Sequence, residues 1–476
     1  MEYKSFIGGA WHETSDSTPN VNPSDTSDIL GHAAVGGADD MARAIDAASG
    51  AAAQWAKSTP QQRFDVLDFI GSEILARKAE LGELLSREEG KTLPEGIGEA
   101  ARAGQIFKFF AGETLRQTGD ILASVRPGIG VDVTRSPIGV VGLITPWNFP
   151  IAIPAWKIAP ALAFGNAVVL KPAELVPGCA HALADIISRS GLPEGVFNLV
   201  FGRGSVVGPE LIGSNKVNAI SFTGSVGTGR AIAADCGKLL KKVQLEMGGK
   251  NPMVVLDDAD LDIAVDVSVN GAYFSTGQRC TASSRLIVTE GIHDKFVAAV
   301  EERLNNLNVG HALRKETHIG PVVDEKQLQQ DLDYVDIAAK DGGKVIGGQR
   351  LNRDTEGFFM APALVTETTN DMRINREEVF GPVASVVRVK DYDEALAVAN
   401  DTEFGLSSGI CTTSLKHASH FKANAEAGMV MVNLPTAGVD YHVPFGGTKG
   451  SSFGSREQGT YAAEFYTTVK TAYTLP

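Results

Sequence analysis

Residues 140–172 read VVGLITPWNFPIAIPAWKIAPALAFGNAVVLKP, and the reading of this stretch decides the fold. It is apolar enough to resemble a membrane span. Pro146, Pro150, Pro154 and Pro160, with Asn148, Lys157 and Asn166, interrupt it too often for a spanning helix. Two buried strands around a short helix account for it better, because strands of a parallel sheet covered on both faces read as continuous apolar runs. The strands are expected near 140–145 and 167–171, with the helix over 154–163.

The same alternation continues beyond this stretch, with helices near 179–190, 206–212 and 230–240 and strands near 196–199 and 219–223. It predicts an α/β fold with a doubly wound parallel sheet, which binds ligands at the C-terminal ends of its strands. After Glu246 a second α/β unit is expected, with strands near 253–256, 285–289 and 384–389 and helices near 261–274 and 294–306. The first third reads as helical: Asp39-Asp40 can cap a helix through Ala53, and Thr59-Pro60 opens another that runs past Leu75. Residues 465–473, FYTTVKTAY, alternate β-branched and aromatic side chains and predict an edge strand, which invites a partner. The pairs Gly342-Gly343 and Gly347-Gly348 read as turns.

At 476 residues the chain is too long for one core, so two or more domains are expected. A net charge of -14, with no basic run longer than Lys241-Lys242, argues against a nucleic-acid partner. The four cysteines, Cys179, Cys236, Cys280 and Cys411, form no C-x-x-C pair and no Cys/His cluster at zinc spacing. The nine histidines show no H-E-x-x-H, so no metal site is predicted. Reduced thiols and an N-terminus without a basic region followed by an apolar run fit a cytoplasmic protein. Nor is there a G-x-S-x-G elbow for serine chemistry.

Candidate chemistry lies at Gly277-Gln278-Arg279-Cys280-Thr281 and at Leu245-Glu246-Met247-Gly248-Gly249-Lys250. A thiolate attacks carbonyl carbon at neutral pH, and a nearby carboxylate can activate the water that releases the acyl group. Alone, Cys280 reads as a small buried hydrophobe and Glu246 as a capping carboxylate. Gly224-Ser225-Val226-Gly227-Thr228-Gly229 follows a predicted strand and opens a predicted helix, where backbone N–H groups favour a pyrophosphate; by itself it reads equally as a turn.

Taken in order, Pro146-Trp147-Asn148-Phe149-Pro150, Leu170-Lys171-Pro172-Ala173-Glu174, Phe222-Thr223-Gly224-Ser225, Glu246, Cys280 and Glu377-Glu378-Val379-Phe380-Gly381-Pro382 resemble the aldehyde dehydrogenase superfamily, from near Phe6 to Tyr473. The resemblance implies a Rossmann-type cofactor domain (1–119 and 137–248), a catalytic domain (249–450) and a small β oligomerisation element (120–136 and 451–476). It also implies a homodimer or homotetramer.

In the chemistry it implies, Cys280 attacks the aldehyde, and Asn148 and the Cys280 backbone N–H hold the oxyanion. Hydride leaves for a nicotinamide, and Glu246 acts as general base for hydrolysis of the thioester. Members that pass the acyl group to coenzyme A generally lack that base, so the product should be an acid. Thr145, Trp147, Lys171, Glu174, Gly224, Ser225, Glu378 and Phe380 are the cofactor residues implied. Glu174, on the adenosine ribose, would repel a 2′-phosphate, which favours NAD, with NADP the alternative.

Within the superfamily the chain is most similar to bacterial 2,5-dioxovalerate dehydrogenases, which form 2-oxoglutarate from α-ketoglutaric semialdehyde. An anionic aldehyde needs a cation, and Arg279 either faces it with its guanidinium or turns outward to a salt bridge. Trp156 and Phe274 stand where succinate semialdehyde dehydrogenases carry arginines. Trp156 is a pocket wall, or a platform for the quaternary ammonium of betaine aldehyde. A broad-range aldehyde dehydrogenase, a cofactor-free thiol esterase and a silent binding protein are the remaining alternatives.

Overall fold

The computed structural model describes all 476 residues. Residues 140–172 form strand Val140–Ile144, helix Ala152–Ala163 and strand Ala167–Lys171, the two strands running parallel from Val140 opposite Ala167 to Ile144 opposite Lys171. Pro154 sits in the first helical turn, where its missing N–H costs nothing, and Pro160 precedes the helix end by three residues. Within the second strand Val168 and Leu170 join the core on one face of the sheet while Ala167 and Val169 join the core on the other. Alternation with both faces covered is why the sequence carries no polar register there.

The sheet has eight strands, in the spatial order Ser452–Phe453, Lys242–Glu246, Ala219–Thr223, Val140–Ile144, Ala167–Lys171, Phe197–Leu199, Ser5–Ile7 and Ala10–His12. The five central strands are parallel, and the outer ones add antiparallel. Helices follow the expected order: Pro177–Ser188, Gly204–Gly213 and Val226–Lys238. The helical reading of the first third needs correction, because five strands between Glu2 and Ala34 precede Ala38–Ala56. Several are only two or three residues long, too short to carry an alternation of their own. Beyond them the first cap is Gly37, with Asp40 inside the first turn accepting the Gly37 N–H at 2.8 Å, while Thr59 caps Pro60–Ala76 as expected and bonds reciprocally with Gln62.

A second sheet of seven strands follows, in the order Lys344–Gly347, Ala363–Thr368, Val383–Val389, Ser283–Thr289, Asn251–Val255, Ser407–Cys411 and Met429–Val432. All its pairings are parallel except the first. The sequence reading found only the middle three of these. Ser407–Cys411 is wholly buried yet reads SSGIC, without the β-branched run that marks a strand. Lys344–Gly347 lies between the two glycine pairs; Gly342, Gly347 and Gly348 do take left-handed turns, with a short strand between them.

The tail strand Thr467–Thr474 pairs antiparallel with Gly130–Pro137, which in turn pairs with Asp120–Ala123, giving a small exposed sheet. Ser452–Phe453, just upstream, belongs instead to the eight-stranded sheet. No helix is long and apolar enough to cross a membrane.

Cys280 lies between helix Leu261–Tyr273 and strand Ser283–Thr289, after a short 3-10 turn, Phe274–Gly277. Ser275, Thr276 and Gly277 all have positive φ, at 52°, 56° and 65°. A Cβ on Gly277 would overlap the Gly381 carbonyl. Gly277→Ala is therefore expected to destabilise the fold by about 2 kcal/mol or more, read as a lower urea midpoint at unchanged m.

Candidate active site

The Cys280 loop is held from several sides. Asn251, at the start of its strand, donates to the carbonyls of Cys280 (2.8 Å) and Ala282 (2.9 Å), and its own carbonyl oxygen accepts from Ser407 N–H at 3.0 Å. Gln278 accepts the Val323 N–H at 3.0 Å, and Glu95 takes both the N–H and the hydroxyl of Ser275, at 2.7 and 3.0 Å. Of the four free cysteines Cys280 alone is only half-buried; Cys179, Cys236 and Cys411 are fully buried. Burial pushes its thiol up to about 12, with Glu378 and then Glu246 adding repulsion, while the backbone amides of Cys280 and Thr281 act the other way.

Asn148 is brought to the same place from the loop after strand Val140–Ile144. Its Nδ2 donates to the Gln278 carbonyl at 2.9 Å, so an amide donor stands within the Cys280 loop. Glu246 ends strand Lys242–Glu246 and is buried; its Oε2 accepts the Ser452 hydroxyl at 2.6 Å. Burial first, and Glu457 second, hold its carboxyl well above the usual range. Glu457 is itself buried, ion-paired with Lys157, and Lys157 donates to Ser221 at 2.7 Å. Lys157 and Glu457 escaped the sequence reading as a pair, since they lie 300 residues apart and only tertiary packing of helix Ala152–Ala163 joins them.

Of the cofactor candidates Lys171, at the C-terminal end of its strand, lines a cavity of about 710 Å³ together with Gly204, Phe222 and Thr228. Lys171 Nζ lies 3.4 Å from Glu174, whose carboxylate also accepts the Gly204 N–H at 3.0 Å. Ser225 caps helix Val226–Lys238 and bonds Thr228 at 2.9 Å, while Gly224 N–H donates to the Glu246 carbonyl at 3.0 Å. Glu378 accepts the Gly249 N–H at 2.9 Å, and a Cβ on Gly248 would overlap its carboxylate. Burial raises the Glu378 carboxyl to about 7. Trp147 and Phe380 meet edge to face, 5.4 Å apart. Thr145 and Thr223 each hold a buried hydroxyl with no protein partner at this strand-end edge. Orphaned hydroxyls, an open cavity and a helix N-terminus are what a dinucleotide uses.

On the other side of Cys280 lies a separate cavity of about 380 Å³. Arg279 lines it, donates to the Asn270 carbonyl and makes no ion pair, so the outward salt bridge is not formed. A second guanidinium, Arg102, was missed by the sequence reading. It stands 6.0 Å from the Trp156 ring and donates to Gln458 at 3.2 Å, again with no carboxylate in ion-pairing range. Arg102 Nε, Arg279 Nε and Trp156 Nε1 are all buried without a hydrogen-bond partner. Trp156 packs on Phe445 at 5.3 Å, so its ring is a wall already approached by a cation. Glu95, Glu99 and Arg102 recur at i, i+4 and i+7 along helix Leu93–Thr114, a one-face spacing that the sequence did display.

Residues 11–472 match the sequence model of the Aldehyde dehydrogenase family. The chain is 42% identical over 480 residues to the α-ketoglutaric semialdehyde dehydrogenase of Bacillus subtilis, covering 100% of this chain and 98% of that one. It is 43% identical over 476 residues to the α-ketoglutarate semialdehyde dehydrogenase of Haloferax volcanii, covering 99% and 98%. Among solved structures, betaine aldehyde dehydrogenase from Staphylococcus aureus in complex with NAD+ superposes with a TM-score of 0.97 at 33% identity, covering 99% of this chain and 95% of that one.

Without cofactor, alkylation of Cys280 by iodoacetamide should climb steadily with pH to 10 without levelling, because the thiol titrates near 12. Removing a neighbouring negative charge in Glu378→Gln should move the profile to lower pH. Peptide mass mapping reads both; a plateau below pH 8 would contradict the assignment.

Proposed function

This chain belongs to the aldehyde dehydrogenase family, and we propose that it oxidises a short anionic aldehyde, α-ketoglutaric semialdehyde, to 2-oxoglutarate with NAD. One observation carries the choice of substrate: two guanidiniums, Arg102 and Arg279, line the Cys280 cavity and neither forms an ion pair, the cavity's own carboxylates, Glu95 and Glu99, being bonded instead to Ser275, Lys91 and the amides of Ile151 and Ala152. A partly buried cation without an ion-pair partner is costly, and a substrate carboxylate is the partner that offsets the cost. A semialdehyde puts its aldehyde at Cys280 and its acid at the far end, and the unpaired indole N–H of Trp156 suits a 2-oxo group between them. The relatives' names support the same substrate. A quaternary ammonium is disfavoured, since Arg102 already stands over Trp156.

In this reading the Cys280 thiolate attacks the aldehyde carbon, and the Asn148 amide with the Cys280 N–H takes the oxyanion. Bound NAD supplies the hydride acceptor. Lys171 and Glu174 would hold the adenosine ribose, Gly224, Ser225 and Thr145 the diphosphate edge, and Glu378, Trp147 and Phe380 the nicotinamide end. Glu246 then draws a proton from water, which releases the acid and restores the thiol. Lys171 beside Glu174 is screened by that carboxylate, which favours NAD over NADP.

For the assembly we propose a homodimer or homotetramer, supported by the apolar side chains on the small sheet: Ile121 is 88% and Val469 60% exposed. Four unpaired thiols support a cytoplasmic location.

NADH formation across a panel of aldehydes tests the substrate. The five-carbon oxo-acid semialdehyde should exceed betaine aldehyde and neutral aliphatic aldehydes in kcat/KM by about 100-fold or more, and Arg102→Met should erase that advantage chiefly through KM. Equal kcat/KM for neutral aldehydes would remove the anionic assignment.

The base makes its own prediction. With its folded carboxyl raised, Glu246 works only as pH climbs, so deacylation should increase with pH to a midpoint well above the usual carboxylate range. Glu457→Gln removes the neighbouring like charge and should lower that midpoint, measured by single-turnover acyl release.

A further inference from the structure

A buried ammonium at the edge of the Cys280 cavity stands behind the Asn148 loop, and nothing above uses it. Lys91 is 2% exposed. Its Nζ donates to the Asn148 main-chain carbonyl, bonds Glu99 at 2.9 Å and lies 3.7 Å from the centre of the Phe149 ring. Glu99 in turn accepts the N–H groups of Ile151 and Ala152, at 3.0 and 3.1 Å, where helix Ala152–Ala163 begins. One cation thus binds the carbonyl of residue 148, the ring of 149 and, through one carboxylate, the amides of 151 and 152.

We propose that Lys91 is a positioning residue that aims the Asn148 amide at the Cys280 loop, an inference that rests on the oxyanion role read for Asn148 above. The Asn148 side chain makes a single hydrogen bond, to the Gln278 carbonyl. Its direction is therefore set mainly by its backbone. That backbone lies in a loop bounded by Pro146 and Pro150, with no strand or helix ladder of its own. A neutral donor at 91 could satisfy the Asn148 carbonyl but would neither pair with Glu99 nor hold the Phe149 face. The neighbouring Glu89, 3.8 Å from Nζ, adds to Glu99 in keeping the ammonium charged.

A double-mutant cycle tests this, with the pre-steady-state NADH burst on α-ketoglutaric semialdehyde as readout. Asn148→Ala alone should slow the burst by about 100-fold or more. Lys91→Met in the otherwise unaltered protein should slow it about 10- to 100-fold with KM within about 2-fold, as for a group displaced from its working position. In the Asn148→Ala background the same Lys91→Met change should cost less than about 2-fold, since no amide is left to aim. Equal slowing in both backgrounds would overturn the inference while leaving the oxyanion role intact. An unchanged burst in Asn148→Ala alone would overturn the oxyanion role and the inference with it. Should Lys91→Met not fold, Lys91→Arg replaces it with the same expectation, because the planar fork cannot meet carbonyl, carboxylate and ring at one point.

Discussion

Loss of water around Cys280 governs the chemistry of this fold. The same burial that shapes the substrate cavity raises the thiol to about 12 and the Glu378 carboxyl to about 7, and lifts Glu246 well above its usual range. In the protein alone burial therefore disfavours the charged forms of both the proposed nucleophile and the proposed base. Positive charge brought near Cys280 would oppose the repulsion from Glu378 and Glu246, so binding and activation are coupled through electrostatics rather than through a moving part.

That constraint explains where the remaining charges lie. Glu95 holds the left-handed turn ahead of Cys280, Glu99 holds the start of helix Ala152–Ala163, and Arg102 faces the substrate cavity, all from one stripe of helix Leu93–Thr114. A single rigid element thus touches the loop carrying the nucleophile, the loop carrying Asn148 and the pocket between them. Gly277 lets the Cys280 loop pass hard against Gly381, which brings the Glu378 loop to the same junction.

The parts of this arrangement legible in the sequence are those whose signal is local. Val140–Ile144 and Ala167–Lys171 could be read because burial on both faces leaves an unbroken apolar run. Thr59 could be read because a cap followed at once by proline is a local signal. Ser407–Cys411 could not, since its strand character comes from neighbours on both sides and not from its own composition. Arg102, Lys91 and Lys157 were silent for a different reason. A lone charged residue reads as solvated, and only the packing of distant segments shows that Lys91 and Lys157 are buried and that Arg102 is partly so. Motif resemblance supplied Cys280, Asn148, Glu246 and the neighbouring Arg279, whereas Arg102 and Lys91 came from the structure.

The two cavity guanidiniums also resolve a tension in the overall charge. A protein of net charge -14 repels an anionic substrate at long range, but that repulsion is screened over about 8 Å at physiological ionic strength. Inside the cavity the balance reverses, because Arg102 and Arg279 act there with little water to weaken them. Each donates to a neutral protein oxygen, Gln458 or the Asn270 carbonyl, which fixes its direction without neutralising it. On the proposed reading the site is thereby ready for a carboxylate before one arrives, and selectivity follows from what a neutral aldehyde leaves unpaired.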